Sequence, residues 1–266
     1  TITLPAPVRQ EDAWDTLGFD WEGLAPLVDA VKLAPEQEQD RYHARMEEAL
    51  GYLVPRVGNS KLLVTVGPLS RERGVDGVRT LGLTEALALA STPVVQPEGP
   101  VPPDATVQAL GQNLASETGA SVLRWDETAS AVVFSYTGPG GERTVWLANV
   151  FSEAFKLELA SRFQLGGVAV EDVSREREDA NIWPAVTQYA ETGELELVIP
   201  NGDLLQPRWA ASGGGLEGDV GPVVTWRAPA EAGTYTLTLI VSDGVMRVGQ
   251  ELRLAVEGPA QRAGPP

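Results

Sequence analysis

Apolar residues fall in two patterns along the first 190 positions: short continuous runs, and runs spaced every three or four residues. Thr1–Pro5 is a brief β-rich run ending at proline. Asp20–Asp29 predicts a short helix leading into the strand-like Ala30–Ala34, which Pro35 stops. Over Glu36–Leu53, Tyr42, Met46, Leu50 and Leu53 recur at helical spacing, and Pro55 and the Gly58-Asn59 turn close that element. Lys61–Val66 (KLLVTV) then reads as a buried strand. Strand, helix and strand in succession predict parallel strands joined by crossover helices.

Thr80–Ser91 is a second helical pattern, Pro93–Pro103 a proline-rich connector, and Thr106–Thr118 a further helix interrupted by Gly111. Ser121–Trp146 predicts a β-hairpin turning at Gly138–Gly141. A helix over Ser152–Phe163, a strand over Gly167–Val170 and a helix over Asp179–Tyr189, with Pro184 in its first turn, complete this part. At Gly193 the pattern changes to short alternating strands. These are Glu194–Pro200, Arg208–Ala210, Val223–Arg227, Gly233–Val241 and Gln250–Val256, divided by Gly, Pro and Asp. The sequence therefore divides into 1–192, an α/β portion; 193–257, an all-β sandwich; and a Gly/Pro-rich tail, 258–266, expected to be disordered.

Charge and composition narrow the partners. The 266 residues carry 20 Lys+Arg against 37 Asp+Glu, a net charge of −17, spread along the chain. Such a surface repels nucleic acid and anionic lipid, so neither is an expected partner. Apolar runs reach only about eight residues, against the roughly 20 of a membrane helix. Thr1 opens directly on Ile-Thr-Leu-Pro, so no signal peptide is expected within these residues, as in a mature or truncated chain. Zero cysteines exclude disulfides and thiol chemistry. The single histidine, His43, excludes a two-histidine metal site and argues against a Ser-His-Asp triad. The expectation is no metal and no cofactor.

Six patches in order carry a resemblance: Trp125-Asp-Glu127, Phe134-Ser-Tyr136, Val145-Trp146, Lys156 with Leu159, Gly166-Gly-Val168 and Trp183. Together they resemble the end of a glycoside hydrolase family 18 barrel, as in chitinases and spore-cortex hydrolases. The resemblance implies a partial TIM-type β/α barrel over residues 1–192. Its fifth to eighth strands would be Thr1–Leu4, the run after Asp29, Leu62–Val66 and Val168–Val170. The family's catalytic acid motif, D-x-x-D-x-D-x-E, ends strand four and occurs nowhere in this chain. Ala34 and Glu36 stand where the family has Met-x-Tyr, and Gly67-Pro-Leu-Ser-Arg71 where it has Pro-x-Tyr-Gly-Arg. Glu171 replaces the tryptophan that floors a sugar subsite. The later portion resembles a bacterial immunoglobulin-like or PKD-like module, through Val224-Thr-Trp226, Gly233-Thr-Tyr235 and Val241–Gly244. Trp226 and Tyr235 suit a buried tryptophan and a corner tyrosine.

Four residues are candidates for binding at the barrel mouth: Glu36, Arg71, Glu171 and Asp172. Glu171 and Asp172 end a strand where barrel enzymes place their chemistry, although Glu171–Asp179 also reads as a self-paired charged loop. Glu36 equally fits an acidic first helical turn. Trp125 and Trp146 are expected to pack the hairpin. Trp14 and Trp21 are the better surface aromatics but favour burial, His43 is expected on an exposed helix face, and Gly213–Gly215 is expected to be a flexible loop. Asp126-Glu127 offers too few ligands for calcium, and no residue is assigned as catalytic.

These readings imply a non-catalytic extracellular module on a degenerate glycosidase scaffold, serving cell-envelope attachment or surface assembly, with a polysaccharide or envelope component as partner. One alternative is a glycosidase whose catalytic half lies in a companion chain. The other is a structural subunit of a surface layer or filament.

Overall fold

Four short apolar strands pair side by side in the order in which they occur along the chain. The computed structural model describes residues 1–114, 122–138, 140–173 and 180–258. Along it run β1 (Ile2–Leu4), β2 (Val8–Gln10), β3 (Ala13–Asp15), α1 (Trp21–Leu24), β4 (Val31–Leu33), α2 (Tyr42–Val57), β5 (Leu62–Val66), β6 (Ser70–Gly74) and β7 (Gly77–Leu81). Then come α3 (Leu83–Ala90), β8 (Pro93–Gln96), β9 (Thr106–Gly111), β10 (Arg124–Asp126), β11 (Ala131–Gly138), β12 (Gly141–Trp146), α4 (Val150–Arg162), β13 (Gly167–Val170) and α5 (Trp183–Thr192). The last strands are β14 (Arg208–Ala211), β15 (Gly215–Glu217), β16 (Val223–Arg227), β17 (Gly233–Ser242) and β18 (Arg247–Val256).

Two units emerge. The first comprises Thr1–Leu83, Trp125–Val133 and Thr144–Pro200; the second comprises Thr84–Arg124, Phe134–Arg143 and the chain from Asn201 onward. In the first unit, β1, β4, β5 and β13 form one parallel sheet in that order. Ile2 lies opposite Val31, Val31 opposite Leu62, and Val168 opposite Val64. Parallel strands in chain order joined by crossovers are the β/α arrangement expected for this part of the chain. One face buries Leu4, Val31, Leu33, Leu62 and Val64 against Met46, Leu50, Leu53 and Val57 of α2 and Leu159 of α4. Val66 packs with Ala154 and Leu157 of α4 and Ala185 of α5. Strand alternation then sends Thr3, Lys32, Leu63, Thr65 and Ala169 to the opposite face.

Several expected elements differ in detail. Helix α2 begins at Tyr42 rather than Glu36 and runs through Pro55 to Val57. A proline in the last turn removes only one hydrogen bond there, so the helix ends instead at Gly58 (φ +89°). Asn149 caps α4 and accepts from the Phe151 and Ser152 amides, while Ser152 Oγ accepts from the Asn149 amide in a capping box. The β6–β7 hairpin was not expected, and the helix after it starts at Leu83 rather than Thr80. Glu194–Pro200, expected as a strand, is irregular, with Leu197, Val198 and Ile199 exposed.

The second unit holds two sheets, β14-β17-β18 and β15-β16-β9-β8. The expected connector over Pro93–Pro103 contains β8. The expected helix over Thr106–Thr118 is instead strand β9 as far as Gly111, and residues 115–118 lie outside the described residues. Thr106–Gly111 buries Val107, Ala109 and Gly111 in strict alternation and pairs with β16, Trp226 opposite Val107. Period two, not period 3.6, is the burial signal of that segment. These two strands therefore pair with a sheet expected to begin only after residue 192. Also outside the described residues are Ser121 and Pro139 of the expected hairpin, Ser174–Asp179 of the charged loop and helix start, and the tail from Pro259.

Trp226 is fully buried and donates from Nε1 to the Gly213 carbonyl at 2.9 Å. The Tyr235 hydroxyl donates to the Glu231 carbonyl at 3.1 Å. The Gly213–Gly215 segment is not a free loop. Gly214 sits at φ +79°, and a Cβ there would meet the Arg227 carbonyl oxygen at 2.2 Å, so glycine is required both by conformation and by close approach.

Candidate functional site

The C-terminal ends of β4, β5 and β13 open onto one cleft in the first unit. Its lining includes all four sequence candidates, Glu36, Arg71, Glu171 and Asp172, together with Gln39, Tyr42, Thr65 and Lys156. Each arrives by a short route: Glu36 from the loop after β4, Arg71 from β6 just beyond β5, and Glu171 and Asp172 from the end of β13. This is the edge at which parallel α/β folds gather ligand-binding groups.

The carboxylates are held by cations of the same unit. Glu171 pairs with Lys32, on the sheet face opposite Val31 and Leu33. Glu36 is not in the first turn of α2. Its Oε1 accepts from the Glu38 amide at 3.0 Å, and Oε2 lies 3.5 Å from the Arg45 guanidinium. Behind the cleft, Glu153 of α4 is fully buried; its Oε1 receives Lys156 Nζ at 2.7 Å and its Oε2 the Gly67 amide at 3.1 Å. Among the described residues Arg71 and Asp172 have no ion-pair partner. Both therefore present charge that a ligand can meet. Asp172 holds φ +54°, the left-handed region that a short polar residue tolerates.

Tyr42, Lys156 and Glu153 were not identified from sequence as site residues. Tyr42 is buried, with Lys156 Nζ 5.0 Å from its ring centroid. Burial, and then the negative charges of Glu153 and Glu36, push its hydroxyl well above the usual tyrosine value of 10.0. The phenol thus stays protonated where an unfolded tyrosine ionises. Its contribution to stability is complete below pH 10 and is lost as pH rises above it. Alkaline unfolding of Tyr42→Phe, followed by circular dichroism between pH 9 and 12, should therefore be less steep than that of the native chain. Each pH unit above 10 should separate them by up to about 1.4 kcal/mol. Superimposable curves would mean that the ring does not carry this term.

Apart from Tyr42, the aromatic residues singled out in the sequence sit elsewhere. None of the seven tryptophans lines the cleft. Trp21 and Trp146 are buried, Trp125 packs on Phe155 with centroids 5.4 Å apart, and Trp14 stacks on Tyr52 at 4.5 Å. His43 is half-buried rather than free, 3.5 Å from Glu158 and edge-on to Phe155. Among the described residues no group of three or more His, Cys, Asp or Glu side chains could hold a metal ion, and no helix is long and apolar enough to cross a membrane.

No family model matches the sequence, and no curated protein matches it. Solved structures similar to it include a chitinase from Chromobacterium violaceum ATCC 12472, with 22% identity over 70% of this chain and 54% of that one and a TM-score of 0.49. The spore cortex-lytic enzyme SleL of Bacillus cereus is 15% identical over 70% of this chain and 40% of that one, with a TM-score of 0.47. A class V chitinase from Pseudomonas fluorescens Pf-5 is 17% identical over 70% and 55%, with a TM-score of 0.44. The chain spans about half the length of these structures.

Proposed function

We propose that this chain is a non-catalytic, glycan-binding module of the cell envelope or extracellular space. The observation that carries the reading is the character of the cleft. Glu36 and Glu171 are each held by a cation from the same unit, and no tryptophan lies beside them. Carboxylates fixed in this way serve as hydrogen-bond acceptors for hydroxyl groups, and Arg71 and Lys156 add donors. A sugar held across the mouth of this cleft, whose free volume of about 20 Å³ admits no whole ring, has polar contacts but no tryptophan to stack on, so its affinity is modest. The acid motif that family 18 hydrolysis uses is absent from the sequence. Incubation of the purified chain with insoluble chitin and peptidoglycan should retain it on the polymer and release no new reducing ends. Measurable turnover would overturn the reading.

The parallel sheet favours one other reading. Among the described residues β1 pairs with β4 alone and β13 with β5 alone, so both sheet edges are open. A companion chain seated there would complete a barrel and bring its own acid, making the assembly a glycoside hydrolase. Native mass spectrometry of co-purified material distinguishes the two: a stoichiometric partner carrying an aspartate-rich motif that ends in glutamate favours the hydrolase.

A further inference from the structure

A second groove in the first unit lies beside the cleft, and its charge runs against the rest of the molecule. Three arginines line it: Arg9 from β2, Arg41 just before α2 and Arg45 in its first turn, joined by Glu36, Glu48 and the small side chain of Ala44. Arg45 is engaged by Glu36 at 3.5 Å. Arg9 and Arg41 are exposed and, among the described residues, have no ion-pair partner. In a chain with 37 acidic and 20 basic side chains, a groove lined by more arginines than glutamates runs against the overall charge. Guanidinium pairs bind oxyanions through planar, bidentate contacts.

We infer that this groove receives the carboxylate of an acidic sugar residue, the neighbouring part of the saccharide lying across the mouth of the cleft; this rests on the glycan-binding reading above. Two observations choose the ligand. Three arginines against two glutamates leave the lining with one net positive charge, matched to a monoanionic carboxylate rather than a phosphate dianion. Glu36 lines both the groove and the cleft, so one saccharide chain can reach both.

The test is calorimetric titration of the whole chain with two tetrasaccharides, one of neutral N-acetylglucosamine and one containing glucuronate, alongside Arg9→Ala/Arg41→Ala. The uronate oligomer should bind native protein roughly tenfold more tightly, as two exposed charge pairs imply. The double variant should lose that preference and keep its affinity for the neutral oligomer. Equal affinity of the native chain for both oligomers, or a preference that survives the double variant, would overturn the inference and leave the glycan module intact. If neither oligomer binds, nuclear magnetic resonance with free glucuronate decides. Shifts at the arginine side chains that the double variant abolishes would keep the groove and sink the glycan module; no shifts would sink both.

Discussion

Replacing Glu153 with alanine should cost the first unit about 3–5 kcal/mol, the penalty of breaking a buried ion pair from one side. Glu153 is fully buried on α4, and its carboxylate has two obligations. Oε1 takes Lys156 Nζ at 2.7 Å, where the lysine side chain is itself only 16% exposed, and Oε2 takes the Gly67 amide at 3.1 Å. Alanine leaves an ammonium group with little water and a backbone donor without an acceptor. Urea unfolding should show a lower midpoint at unchanged slope. The double variant Glu153→Ala/Lys156→Met should recover a large part of the loss, because the unpaired charge is gone. A single variant within 1 kcal/mol of the native chain would mean that water reaches the pair. Gly67 opens the loop that carries Arg71 to the cleft, so the same substitution should also weaken glycan retention.

The parallel strands were legible because they are rich in β-branched and apolar residues: KLLVTV forms the buried β5 and GVAV the half-buried β13. The long strands β17 and β18 were legible from their alternation. The β6–β7 hairpin inverts the code. Its inward positions are Ser70 and Glu72, both buried, with Glu72 held by Arg79 at 2.5 Å, so the strand's alternation is polar inside and charged outside. Hydropathy cannot report such a strand. β9 was hidden by small residues, because Ala109 and Gly111 suit a helix pattern as readily as a tightly packed strand. At the cleft, the candidates lying just after strands could be found from position alone. Tyr42 and Lys156 could not, since on helices they read as ordinary amphipathic positions. Only the tertiary fold sets one above the other, with Glu153 behind them.

Gly166→Ala should be the most damaging single methyl group in the first unit, lowering stability by about 3 kcal/mol, at the upper end of overpacking effects. A Cβ at this position would lie 2.0 Å from the Ser60 carbonyl oxygen and 2.7 Å from its carbon, both backbone atoms with no rotamer to move. The approach is enforced from both sides. The Gly166 amide donates to the Asn59 and Leu62 carbonyls at 2.9 and 3.1 Å, and the next residue, Gly167, begins the β13–β5 pairing opposite Leu63. Relieving the clash means pulling β13 away from β5, and Glu171 and Asp172 follow β13 directly. In a domain of this size the loss corresponds to a melting temperature lower by roughly 6–12 °C. Gly51→Ala is the matched control. Gly51 lies exposed within α2 with nothing within 4 Å of its added Cβ, so the same methyl group should stabilise by about 0.5–1 kcal/mol. Opposite signs at the two positions would locate the cost in the β5–β13 contact itself, whereas equal small effects would show that the strands separate easily and that the carboxylate edge of the cleft is not fixed by their pairing.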